Sequence, residues 1–274
     1  MFVGADCTHP RQSAKSCPSI AAIVATTDDT SSQYLGSARL QPSRQEYISD
    51  LRSMMTEKIR AWYLKTADEE KPGTKTERRL PSTIFFYRDG VSESQYGMVL
   101  HEELQQIRLG CKDWYDKVKD HKANNFSSNF KWKYIKIVFF VVIKRHHARF
   151  SPQITTSRDI VTPNHVNFYL QSHASPKSMA KSSHYVVLQN NSPKDYTLKQ
   201  LEDISHHLCC VGPHLLCGRL RCYMKPALDN KYPLDENARS KHDYENDEKI
   251  SHNDPEKIRK SPWKASLDNV MFYL

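Results

Sequence analysis

Apolar positions along the chain follow two spacings, and each change of spacing marks a new element. Phe2 and Val3 open a strand that carries Asp6 into Thr8-His9-Pro10, where pairing ends because proline has no amide to donate. Ser19 to Thr26 (SIAAIVAT) reads as the strand folded back beside it, and Ser37 to Leu40 as a short third. Ser43-Arg44-Gln45-Glu46 has the S-x-x-E form of a capping box. Tyr47, Leu51, Met54, Met55, Ile59, Trp62 and Tyr63 follow at helical spacing, so a helix is predicted from this point. After a charged loop, Ser82 to Arg88 (STIFFYR) is a strand ending at Asp89-Gly90, and Val91 to Ile107 is a second helix. Gly110 to Phe130 is polar and reads as an exposed loop; Ile135 to Ile143 is a buried strand running into Lys144-Arg145. His165 to Gln171 and His184 to Gln189 are further strands, and Leu198 to Cys209 is a third amphipathic helix. A run of three strands followed by strands alternating with helices predicts a mixed α/β sheet with helices on its faces.

Composition changes this picture at the C-terminal end. Residues 224–262 turn to mixed charge with almost no apolar positions, as in a solvated insertion or disordered loop, and residues 263–274 become apolar again, as a segment docked on the body. Lys plus Arg number 40 against 31 Asp plus Glu, a net +9 that favours a polyanionic partner over a neutral one. The seven cysteines are odd in number and irregularly spaced, which fits reduced thiols and a cytoplasmic, or nuclear, protein. No apolar run approaches the roughly 18 residues that span a bilayer, so no membrane partner is expected. His206, His207, Cys209, Cys210, His214, Cys217 and Cys222 crowd together, but they lack the separated ligand pairs of a zinc site.

Candidate chemistry rests on carboxylates. Asp6 and Asp89 each end a strand, and Glu46 lies between them in sequence; clustered hard oxygen ligands of this kind suit Mg²⁺- or Mn²⁺-assisted phosphodiester cleavage. Taken alone, Asp6 reads as a turn residue or helix cap and Glu46 as a capping-box residue rather than as catalytic groups.

The motifs GADCTHP, PSIAAIVAT, SRQEYISDL, IFFYRDGVSESQY, VVIKRHHARF, NFYLQSHAS and the terminal MFYL, in that order, resemble the Piwi domain of Argonaute proteins over nearly the whole of residues 1–274. The resemblance implies a ribonuclease H-like fold that cuts RNA paired to a small guide RNA, with an Asp-Glu-Asp-His or Asp-Glu-Asp-Asp tetrad. Asp6, Glu46 and Asp89 match its first three members. Pro213 to Arg221 matches the block carrying the fourth and places it at His214, with a competing position near Asp229. Asp6, Asp89 and His214 would then ligate Mg²⁺ or Mn²⁺. By the same resemblance Lys144, Arg145, His173, Lys181, Arg219 and Arg221 contact the RNA backbone. The implied partners are a guide RNA, its complementary target and tryptophan-bearing silencing effectors. The segments before His214 and after Phe150 are shorter than the family's, which predicts weak cutting by this chain. A non-cutting guide-binding module and a truncated inactive copy stand as alternatives.

Overall fold

Every residue of Ser19–Thr26 is buried, as expected of a strand covered on both sides, and the rest of the sheet is built outward from such strands. The structure is a computed structural model of the chain; it describes residues 1–10, 18–31, 33–69, 79–119, 131–144, 146–148, 166–171 and 182–211. Seven strands lie in one sheet: β1 (Phe2–Thr8), β2 (Ser19–Thr26), β3 (Tyr34–Gln41), β4 (Thr83–Asp89), β5 (Lys136–Ile143), β6 (Val166–Leu170) and β7 (Ser183–Asn190), in the order β3-β2-β1-β4-β5-β7-β6. The central pairs β1–β4 and β4–β5 are parallel, while the flanking pairs are antiparallel.

Helices α1 (Leu51–Glu69) and α2 (Tyr96–Lys119) share one core with Val3, Ala5, Ile84, Phe86, Phe139 and Val141. Helix α3 (Leu198–Val211) covers the opposite face, where Leu201 and Leu208 join Phe85, Tyr87, Val138, Phe140 and Val142. Side chains alternate across a strand, so odd and even positions divide cleanly between these cores. Tyr87 and Phe140 stack across β4 and β5 with ring centres 4.4 Å apart, which fixes the register of the two strands that form the centre of the site.

Three boundaries are corrected. The helix starts at Leu51, not at Ser43, because tertiary partners hold the backbone of residues 44–46 out of helical shape and take carbonyls that a first helical turn would use. The Arg44 amide donates to Ser19 Oγ at 2.8 Å, Gln41 Nε2 donates to the Gln45 carbonyl at 2.6 Å, and Arg88 donates to the Glu46 carbonyl. Arg44 adopts φ 63°, outside any helix. The expected loop from Gly110 is instead the second half of α2, which continues to Lys119. There Cys111 and Val118 are buried, Trp114 packs edge-on against Tyr63 of α1, and Asp113 accepts two bonds from Arg52 at 2.6 and 2.8 Å. Gly110 marks the closest approach of the two helices: a Cβ there would lie 2.9 Å from the Arg52 carbonyl oxygen. The third strand is also longer than expected, from Tyr34 to Gln41. The predicted insertion at 224–262 and the docked segment at 263–274 lie outside the described residues.

Candidate active site

The parallel register sets Ala5 of β1 beside Arg88 of β4, so the next residues, Asp6 and Asp89, lie side by side; Asp89 ends β4 as expected, whereas β1 runs on to Thr8, so Asp6 sits inside its strand rather than at its end. Both follow the parity of the α3 face, as does Lys144, which continues β5 beyond Ile143. Lys144 Nζ stands 2.6 Å from Asp89 Oδ2. Asp6 Oδ1 accepts the Cys7 amide at 2.8 Å, and Gly90, at φ 84°, turns the chain so closely that a Cβ there would lie 3.5 Å from that same oxygen. Burial and then the neighbouring Asp89 charge push the Asp6 carboxyl from 3.8 up to about 6, against the pull of Arg88 and Lys144.

Arg88 has the opposite parity and points toward α2. It is fully buried, 3.1 and 3.2 Å from the two oxygens of Glu103, itself fully buried. The same guanidinium reaches Cys7 Sγ at 3.5 Å and donates to the carbonyls of Asp89 and Glu46, while Glu103 Oε1 accepts the Ile48 amide at 3.0 Å. Burial opposes the charge on Arg88 most strongly, but Glu103 together with Cys7 and Asp6 holds the guanidinium above its ordinary value. One buried ion pair therefore grips the Glu46-to-Ile48 segment from both of its ends.

The Glu46 side chain goes to His9: Nε2 stands 3.0 Å from Glu46 Oε1, close but not aligned as a hydrogen bond, and His9 Nδ1 lies 2.8 Å from Ser19 Oγ. Glu46 is thus held beside the Asp6 turn in a loop ahead of α1, where it caps nothing. Its charge acts on Cys7 and Glu103, while the charges acting on Asp6 are those of Asp89, Arg88 and Lys144.

Two adjacent carboxylates on one face, with hard oxygen donors and a raised proton affinity, fit a small divalent cation such as Mg²⁺ or Mn²⁺. Among the described residues no group of three or more His, Cys, Asp or Glu converges on one point, so Glu46 does not join the pair in this arrangement. His214, Arg145, His173, Lys181, Arg219, Arg221 and the competing Asp229 lie outside the described residues. Tyr196, just ahead of α3, stacks edge-on to Phe85, and Ser205 within α3 is bonded to the Tyr87 hydroxyl at 3.1 Å; the helix therefore runs toward the Asp89 end of β4.

Arg88, Glu103 and His9 were absent from the sequence-based site, though two of them carried a signal. Arg88 shares the parity of Ile84 and Phe86, and Glu103 sits in the apolar stripe of Val99, Leu104 and Ile107, so a buried pair was legible from period alone.

Residues 1–215 match the Piwi domain family. The chain is 31% identical over 251 residues to protein argonaute 7 of Arabidopsis thaliana, an alignment covering 82% of this chain and 22% of that relative. It therefore spans about a fifth of the length of that curated relative. In solved structures the fold is similar to the C-terminal lobe of a budding yeast Argonaute, with TM-score 0.62, 23% identity and coverage of 77% of this chain and 41% of that one. It is also similar to Kluyveromyces polysporus Argonaute with a guide RNA, with TM-score 0.60, 23% identity and coverage of 77% and 25%.

Proposed function

The chain belongs to the Piwi domain family, and on that premise we propose that it binds a guide RNA paired to a target and cleaves the target by metal-dependent phosphodiester hydrolysis. The observation that carries the reading is the convergence of Asp6 and Asp89 on one face of two adjacent parallel strands. In this reading Asp6, Asp89 and His214 hold the Mg²⁺ or Mn²⁺, which when bound activates water toward the phosphodiester and stabilises the leaving oxygen.

The chain's own residues supply position and charge. Arg88 and Glu103 hold the Glu46 loop against the strand ends, so that the Glu46 carboxylate stays beside the Asp6 turn under the control of His9. Lys144 brings a cation to the face where a backbone phosphate would lie, and Arg145, His173, Lys181, Arg219 and Arg221 extend that role. Such contacts carry no base information, so target choice comes from guide pairing. The solved Kluyveromyces polysporus relative carries a guide RNA, which supports a guide as this chain's partner.

The test is incubation of the full chain with a preformed guide–target duplex, Mn²⁺ and a 5′-labelled target, beside an Asp89→Asn control. Slow cleavage at one position, absent in the control, is the expected result. Duplex binding with no Asp89-dependent cut would overturn the nuclease reading.

A further inference from the structure

Lys144 was expected to present its ammonium to RNA, yet in the structure it spends that charge on Asp89 at 2.6 Å. The ammonium keeps about a third of its side chain exposed, against 15% for Asp89, so it lies on the open side of the pair. Its four-carbon stem lets it turn from a carboxylate to a neighbouring anion without moving the strand.

The local charges show what would turn it. On the α3 face, Asp6 and Asp89 oppose the single charge of Lys144, leaving the group one negative charge; Arg88 lies across the sheet and is matched by Glu103. A divalent cation added to this group would reverse the balance to one positive charge and would meet the ammonium on the same Asp89 oxygens. One phosphodiester charge from a bound strand restores neutrality and gives Lys144 a second anion to pair with.

We propose that Lys144 and the divalent cation are alternative counter-ions of Asp89, exchanged when a backbone phosphate of the bound duplex draws the ammonium away, so that RNA binding primes the metal site. This rests on the proposed nuclease reading and couples its two ligands. Bound RNA raises the affinity for metal, and by linkage the metal tightens RNA binding by the same factor.

The experiment measures Mn²⁺ affinity directly, from the electron paramagnetic resonance signal of free Mn²⁺. It uses the full chain, Lys144→Met and Lys144→Arg, each without RNA and with a guide–target duplex blocked against cleavage. Without RNA, Lys144→Met should bind Mn²⁺ about tenfold tighter than the wild type, within the usual range of such coupling, and Lys144→Arg should match the wild type. With duplex, the wild-type affinity should rise to approach that of Lys144→Met, while Lys144→Met gains much less. Thermal melts confirm that both variants fold, and the wild-type comparison with and without duplex needs no variant.

Equal Mn²⁺ affinity in wild type and Lys144→Met without RNA would overturn the exchange while leaving the nuclease reading intact. An equal gain on adding duplex to both proteins would overturn it too, since that gain comes from phosphate ligating the metal directly. Absence of saturable Mn²⁺ binding in all three proteins, with duplex still bound, would sink the nuclease reading itself.

Discussion

Replacing Arg88 with Met removes one member of a fully buried ion pair and, with it, two carbonyl contacts on the loop side. Glu103 would keep only the Ile48 amide as a partner at a position without solvent, and truncating one partner of such a pair costs about 3–5 kcal/mol. The carbonyls of Glu46 and Asp89 also lose their donor, at about 1–3 kcal/mol each if nothing replaces it; the loop lies near the surface, so water offsets much of this. We expect Arg88→Met to lose about 4 kcal/mol, which places it among the exceptional single substitutions. The double variant Arg88→Met, Glu103→Leu removes the stranded carboxylate and should recover about half, leaving about 2 kcal/mol for the orphaned Ile48 amide and the two carbonyls. Urea unfolding of the three proteins reads the ladder, and amide exchange at Ile48 reads the loop. A double variant as stable as the wild type would refute the clamp, because the pair would then contribute nothing beyond filling volume. A loss below about 1 kcal/mol in Arg88→Met would refute the burial argument altogether.

Asp6→Asn should stabilise the fold at pH 7.5. The folded carboxyl is raised from 3.8 to about 6, so its favourable contribution is complete below pH 3.8 and lost as pH rises through 6; ionising it at neutral pH costs about 3 kcal/mol, of which Asn should recover about 1–2. Urea melts at pH 7.5 and pH 4 check this, since the gain must vanish at the lower pH. Gly110→Ala should destabilise by about 1–3 kcal/mol despite alanine's better helix propensity, because its Cβ would press within 2.9 Å of both the Arg52 carbonyl oxygen and Met55 Cβ; a neutral or higher melting temperature would show that α1 and α2 can separate freely. Burial pushes both the Cys7 and Cys111 thiols up to about 12, so neither should react with iodoacetamide at pH 8 until urea unfolds the chain; rapid labelling of the native protein, mapped by mass spectrometry, would contradict their placement.

Strand parity was legible in the sequence because a side chain's face depends only on its position along the strand. STIFFYR and KIVFFVVI read as buried from composition, and the spacing of Val99, Leu104 and Ile107 set the inward face of α2. Parity likewise assigns Asp89 to the face of Phe85 and Tyr87, and Arg88 to the other. Neither period nor composition could say that β1 lies beside β4, since β2, β3 and α1 intervene and the pairing energy comes from contacts more than 80 residues apart, such as the Met1 amine on the Thr83 carbonyl. Only that long-range pairing turns two separate aspartates into one site.

The Glu46 segment shows the reverse case. Its local pattern is a sound capping box, but the box forms only if the backbone behind it is helical. Here Ser19, Gln41, Arg88 and Glu103 bond the backbone of residues 44–48 in another shape, and a buried charged pair outweighs one exposed capping bond. The continuation of α2 past Gly110 is hidden in the sequence for a related reason: glycine reads as a helix end when its surroundings are unknown, and as a contact point once α1 packs so near that a Cβ there would lie 2.9 Å from the Arg52 carbonyl oxygen. Sequence alone determined which residues are apolar, which face each takes and that Asp89 ends a strand. Tertiary structure decided which residues meet and which backbone groups remain free, because both depend on partners distant along the chain.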